Sequence, residues 1–166
     1  MSNEKLIDIL KGAILLELNG KTFYENTAQQ TKNKSVQELF INLAEEENHH
    51  IALLSRHYTS LIKHGKILPV KYSENPLNVS ASVLTEQVQN EIKISDYEAA
   101  AISAAMALEQ NAVQYYENHS AIASDANEKE LFSWLANWEK THLQFLSDLD
   151  RELRNKVWHD NNFWPM

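Results

Sequence analysis

The chain contains no cysteine. Disulfides, thiolate catalysis and any Cys-ligated zinc, iron–sulfur or rubredoxin-type centre are thereby excluded. Turn residues are nearly as scarce: there are 3 glycines and 3 prolines, and Pro69 and Pro76 share one short segment. So little turn chemistry argues for a few long helices and against many short strands. Positive charge is also in deficit, with 15 Lys and Arg against 23 Asp and Glu and a net charge of −8. That balance gives no support to nucleic-acid binding or to attraction toward an anionic membrane. Nor is there a long apolar run near the start: Glu4, Lys5, Asp8, Lys11 and Glu17 interrupt "MSNEKLIDILKGAILLELNGK". The stretch reads as neither signal peptide nor membrane span, and a cytoplasmic location is the default expectation.

What is present is ordinary for a globular protein, 43% apolar and 23% charged residues, in a length that suits one domain over residues 1–166. Helical periodicity dominates. Leu6, Leu10, Ala13, Glu17, Gly20, Tyr24 and Ala28 recur at spacings of three and four, one stripe of a helix. After "TKNKS", Ser35 and Glu38 read as a capping box that starts a second helix. Its inward stripe is Leu39, Leu43, Glu47, His50, Leu54 and Leu61, and Gly65 is its expected C-cap. Residues 65–95 read as a long connection, with "VSASVLTEQVQNEI" a candidate short helix inside it. Ser95 or Asp96 can cap a third helix with the stripe Ile102, Ala105, Glu109, Ala112 and Tyr116. Asn127 and Glu130 are placed to start a fourth, with the stripe Leu131, Leu135, Glu139, His142, Leu146 and Leu149.

Two helix hairpins (about 4–64 and 96–155), joined by a crossover (about 65–95), predict an all-α four-helix bundle of ferritin-like connectivity. An up-down bundle with a disordered loop is the runner-up. The aromatic tail "VWHDNNFWPM" is expected to pack back on the bundle or on a partner subunit, and a homodimer is the expected assembly.

The chain also repeats itself. Shifted by 92 residues, "AILLELNGKTFYENTA" lies over "AMALEQNAVQYYENHS", and "ELFINLAEEENHHIALL" over "ELFSWLANWEKTHLQFL", without a gap. The repeat singles out residues within "LAEEENHHIALL". Glu47 maps to Glu139 and His50 to His142, while Glu45, Glu46 and His49 map to Asn137, Trp138 and Thr141. Glu17 maps to Glu109. Each such glutamate of the first and third helices precedes its partner by thirty residues, with the midpoint, Lys32 or Ser124, in a predicted turn. In an antiparallel hairpin both then stand about 22 Å from the turn, at one level. A pseudo-twofold bundle would gather four carboxylates and two imidazoles in a central layer.

Such a layer calls for metal. Burying an ionised carboxylate without a partner costs several kcal/mol or more, and neighbours of like sign raise the cost. No Lys or Arg stands at this level of the stripes. Two divalent cations would balance four glutamates, and Glu-x-x-His puts both side chains on adjacent turns of one face, within reach of one ion. The candidate ligands are therefore Glu17, Glu47, His50, Glu109, Glu139 and His142, a set that suits iron or manganese. Tyr24 and Tyr116, each seven residues after a proposed ligand, read either as hydrogen-bond partners or redox-active phenols beside the metals, or as plain core tyrosines. Glu45, Glu46 and His49 read as solvent-facing, His57 as packing or exposed. Trp134 and Trp138 read as packing or interface residues.

The motifs "AILLELNGKTFYENTA", "LAEEENHH" and "LANWEKTH" resemble those of the rubrerythrin-like branch of the ferritin-like superfamily, over about residues 5–155. The resemblance implies iron as the usual metal, Glu47 and Glu139 bridging and Glu17 and Glu109 terminal. Two departures stand out: no rubredoxin domain is possible without cysteine, and the extra carboxylate one turn after the third-helix glutamate is Ala112. Electrons would have to come from another protein. The function implied is a non-haem di-iron oxidoreductase reacting with peroxide or dioxygen, peroxidase or ferroxidase, with an iron-binding protein lacking turnover as the alternative.

Overall fold

The computed structural model describes residues 2–69 and 96–160, apart from the side chains of Asp96 and of residues 156–160. Four α-helices account for nearly all of them: α1 (Asn3–Gln30), α2 (Lys34–His64), α3 (Asp96–Ile122) and α4 (Ala126–Asp160). Every residue of the four inward stripes read from the sequence is buried. The candidate helix within 79–92, the capping role of Ser95 and the end of the aromatic tail lie outside the described residues.

The helix starts differ from the expectation, and in the same way in both halves. Asn33, not Ser35, caps α2: its side-chain oxygen accepts the backbone N–H of Ser35 at 3.0 Å and of Val36 at 3.2 Å. Asp125, not Asn127, does the same for α4, accepting from Asn127 at 2.8 Å and Glu128 at 3.2 Å. A short Asx side chain just ahead of the helix satisfies its second and third orphan amides, so the helix begins two residues earlier. Positions 33 and 125 are themselves 92 apart, so the correction keeps the repeat. Gly65 does cap α2, at φ 68°, where a Cβ is disfavoured. The fourth helix continues to Asp160, so the first residues of the expected tail, from Val157, belong to α4.

α1 packs along α2, α3 along α4, and α1 also meets α3. The core divides into two apolar clusters. One joins Tyr24 and Ala28 of α1, Val36 to Ala44 of α2, Ala101 to Ala105 of α3 and Leu146 to Leu153 of α4. The other joins Leu6 to Ala13, Leu53 to Leu61, Ala112 with Tyr116, and Leu131 to Ala136. The first half of α2 thus shares a cluster with the first half of α3, so these consecutive helices run parallel. The end of α2 and the start of α3 therefore lie at opposite ends of the bundle, a helix length of about 46 Å at 1.5 Å per residue. That is the ferritin-like crossover and excludes the up-down bundle.

Candidate metal centre

Between the two apolar clusters lies a polar layer. Glu17 of α1, Glu47 and His50 of α2, Glu109 of α3, and Glu139 and His142 of α4 are each 3% exposed or less. They are inside because each occupies a stripe position one or two turns from buried leucines or alanines on its own helix. The hairpin turns at residues 31–33 and 123–125 set the levels, as the thirty-residue spacing requires.

The side chains converge as two overlapping sets. Glu17, Glu47, His50 and Glu139 form one, and Glu47, Glu109, Glu139 and His142 the other. Within each set one donor atom per residue lies within 4.8 Å of the rest. Glu47 and Glu139 belong to both. His50 turns Nδ1 to Glu139 at 2.9 Å and to Glu17 and Glu47 at 3.5 Å. His142 turns Nδ1 to Glu139 at 3.3 Å, Glu109 at 3.5 Å and Glu47 at 3.9 Å.

These approaches are close but not aligned as hydrogen bonds. Both nitrogens of His50, Nδ1 of His142, both carboxylate oxygens of Glu139 and Oε2 of Glu47 are buried with no hydrogen-bond partner. Native interiors rarely leave so many polar atoms unsatisfied in one place. Unpartnered imidazole and carboxylate atoms gathered about shared points fit a pair of cations better than they fit one another.

The electrostatics agree. Burial pushes Glu47 well above the usual carboxylate range, and the Glu139 charge adds to the effect. Burial raises Glu109 to about 7 although His142 opposes it. Burial would also raise Glu139, but the imidazoles of His50 and His142 outweigh it and hold that carboxyl low. Burial disfavours both imidazolium ions, yet the carboxylates, Glu139 foremost for His50 and Glu109 for His142, raise the two histidines well above their ordinary value. Without a cation, Glu47, Glu109 and both imidazoles hold protons more tightly than usual, and a metal would displace them.

The phenols of Tyr24 and Tyr116 complete the layer by crossing between halves. Tyr24 of α1 donates to Glu109 of α3, and Tyr116 of α3 donates to Glu17 of α1. Burial and the adjacent carboxylates, Glu109 for Tyr24 and Glu17 for Tyr116, raise both phenols, so they stay protonated donors.

A model of the rubrerythrin family matches residues 8–150. The chain belongs to the rubrerythrin family. Among solved structures, this family member is similar to a hypothetical protein from Pyrococcus furiosus, 24% identical over 93% of this chain and 97% of the other, with a TM-score of 0.62. That likeness bears on the fold. No curated protein matches the chain.

The rubrerythrin-family layer has neighbours that the sequence did not announce. Trp138 is buried against it, its ring 5.1 Å from that of His50 and its Nε1–H donating to His142 Nε2 at 3.2 Å. The four-residue spacing from Trp138 to His142 was the available signal. Glu45 and His49 are exposed as expected, but Glu46 is only half-exposed and its Oε2 is buried. His57 is buried, 1% exposed, away from both ligand sets. A cavity of about 330 Å³ opens between α1 and α3 onto Glu17, Glu47 and Glu109, bounded by Gly20 and Ala112, with the exposed Asn19 and Asn111 among its lining residues. Each of these two pairs, Asn19 with Asn111 and Gly20 with Ala112, is 92 residues apart, so the opening sits on the pseudo-twofold.

Proposed function

We propose that this rubrerythrin-family protein holds two metal ions, iron foremost and manganese next, and reduces peroxide or dioxygen with electrons from a separate redox protein. One observation carries the reading: two buried donor sets, each of three carboxylates and an imidazole, that share Glu47 and Glu139. Sharing supports the bridging role the family resemblance assigns to that pair, with Glu17, His50, Glu109 and His142 as the terminal ligands. Family members typically carry di-iron, and the oxygen-rich donor set supports iron or manganese over softer ions.

A bound metal pair would supply the electrons, two per O–O bond cleaved; with two protons, one peroxide gives two waters. The chain supplies the surroundings. The apolar clusters above and below exclude bulk water. Tyr24 and Tyr116 hold Glu109 and Glu17 in orientation through their phenol protons. The cavity between α1 and α3 is the route for a small oxidant, and Ala112 leaves it open where a carboxylate would narrow it.

Anaerobic loading with Fe(II), metal analysis and stopped-flow mixing test the proposal. Two irons per chain, oxidised rapidly by hydrogen peroxide, are expected. Rapid consumption of many Fe(II) equivalents by dioxygen would instead assign ferroxidase activity. Two irons that react with neither would leave an iron-binding protein, and no uptake of Fe(II) or Mn(II) would sink the metal reading altogether.

A further inference from the structure

Two tryptophans stand against the polar layer and have no part in the oxidant route. Trp138 of α4 is 7% exposed. Its ring lies 5.1 Å from that of His50, and its indole nitrogen is 3.2 Å from Nε2 of His142, so it touches a candidate ligand of each donor set. One turn earlier, Trp134 is half-buried, its ring 4.5 Å from that of Trp138 and 6.1 Å from that of His50. Such separations are those of aromatic rings in contact. The pair forms a continuous line of π systems from the layer to the protein surface.

Packing alone does not demand this line. Under the 92-residue repeat, Trp134 and Trp138 fall on Asn42 and Glu46, both polar and half-exposed. Smaller polar side chains thus serve in one half where two indoles stand in the other. Nor does the line share a side with the cavity. The cavity opens between α1 and α3, whereas the tryptophans project from α4 against His50 of α2. Electron tunnelling weakens steeply with distance, and less steeply through π systems in contact than across saturated side chains or gaps. A small oxidant needs open space to reach a buried metal pair; electrons from an outside carrier need such a bridge.

We propose that electrons enter the layer on its α2–α4 side, through Trp134 and then Trp138, while the oxidant enters between α1 and α3. The inference rests on the metal reading above and deepens it by naming the entry point of the reductant. In each step a reduced one-electron carrier protein loses one electron, and one M(III) ion gains it to become M(II). The indoles couple the two partners; they are neither oxidised nor reduced, and no bond changes. Two steps restore the two electrons that cleavage of one peroxide O–O bond consumes.

Because the chain has no cysteine, a photoactive label can be placed on one introduced thiol. Glu130 is exposed one turn before Trp134, and the exposed Asn111 lines the cavity. Glu130→Cys and Asn111→Cys each take a ruthenium tris-bipyridine label. Trp158→Phe and Trp164→Phe in the background leave Trp134 and Trp138 as the only indoles. After iron loading and oxidation, a laser flash with a reductive quencher generates the reduced label, and transient absorption follows its electron into the iron. From position 130, Trp134→Leu or Trp138→Leu should slow the transfer several-fold. From position 111 the same variants should leave it unchanged, which damage to the layer would not allow. Metal-free protein gives a second readout: with an oxidative quencher, the oxidised label at position 130 should draw an electron from Trp134, and Trp134→Phe should slow formation of the indole radical several-fold. Transfer from position 130 that ignores both indoles, slowing from both positions alike, or a radical that forms as fast without Trp134 would overturn the electron route alone. Failure to take up iron would overturn the metal reading and the route with it.

Discussion

The crossed phenols show how much a single side chain does in this layer. Tyr24 and Tyr116 are 1% and 0% exposed, and each ties a glutamate to the opposite half. A hydrogen bond to a charged acceptor contributes about 1.5–3 kcal/mol. Each of Tyr24→Phe and Tyr116→Phe should therefore cost about 1–3 kcal/mol in urea unfolding of the metal-free protein, and the two losses should be similar because the sites are related by the repeat. His57 makes a different contribution. Burial, helped by the Arg56 charge, lowers it from 6.5 to about 4, and neither ring nitrogen has a partner. Between these values the unfolded chain binds a proton that the folded chain refuses, so stability falls as pH drops from 6.5 and the loss is complete near 4. With allowance for screening, about 1–3 kcal/mol is at stake. Chemical denaturation of the wild type and of His57→Leu at pH 7 and pH 4 checks it: the variant should lose that much less on acidification.

At the scale of the helix, the caps decide where each hairpin turns and therefore which residues reach the layer. Replacing Asn33 or Asp125 with alanine should cost about 1 kcal/mol apiece in urea midpoint analysis. The glutamates of the expected capping boxes, Glu38 and Glu130, are exposed, and their alanine variants should stay within about 0.5 kcal/mol of wild type. Gly65 stands at φ 68°; Gly65→Ala should cost about 1–2 kcal/mol, the penalty of a Cβ in the left-handed region. The same helices frame the cavity over the carboxylates. Placing tryptophan at both Asn19 and Asn111 should slow oxidation of the loaded protein several-fold while metal content stays unchanged, since neither side chain belongs to the two ligand sets.

For the whole molecule, the polar layer is the weak plane of the core until it is filled. Two apolar clusters hold the ends of the bundle, while the middle depends on charge balance. A ligand that binds only the folded state adds about 2.7 kcal/mol at a hundredfold excess over its dissociation constant. In a protein of this size each kcal/mol raises the melting temperature by about 2–4 °C. Filling one site should therefore raise it by roughly 5–10 °C in a thermal scan, and a chelator should reverse the gain. The gain should shrink on acidification, because Glu47, Glu109 and both histidines, all raised by their setting, must release protons to the metal.

Much of this protein was legible along the chain. Helix stripes, hairpin levels and the pairing of Glu47 with His50 follow from periodicity and from a repeat of 92 residues, because spacing along a helix is spacing in space. The crossover direction followed less directly, from the length of the connection. Other features depended on neighbours that only packing brings together. Which residue caps a helix rests on a few ångströms of backbone path, so Asn33 displaced Ser35. That each phenol reaches the opposite half's glutamate depends on how α1 lies against α3. Glu46 and Trp138 looked like surface and packing residues in sequence; folding buries a carboxylate oxygen of one and puts the other's N–H on a ligand candidate. Local order in a helix is set by neighbours three and four residues away, whereas the proton positions of a buried layer are set by whatever the other helices bring to it.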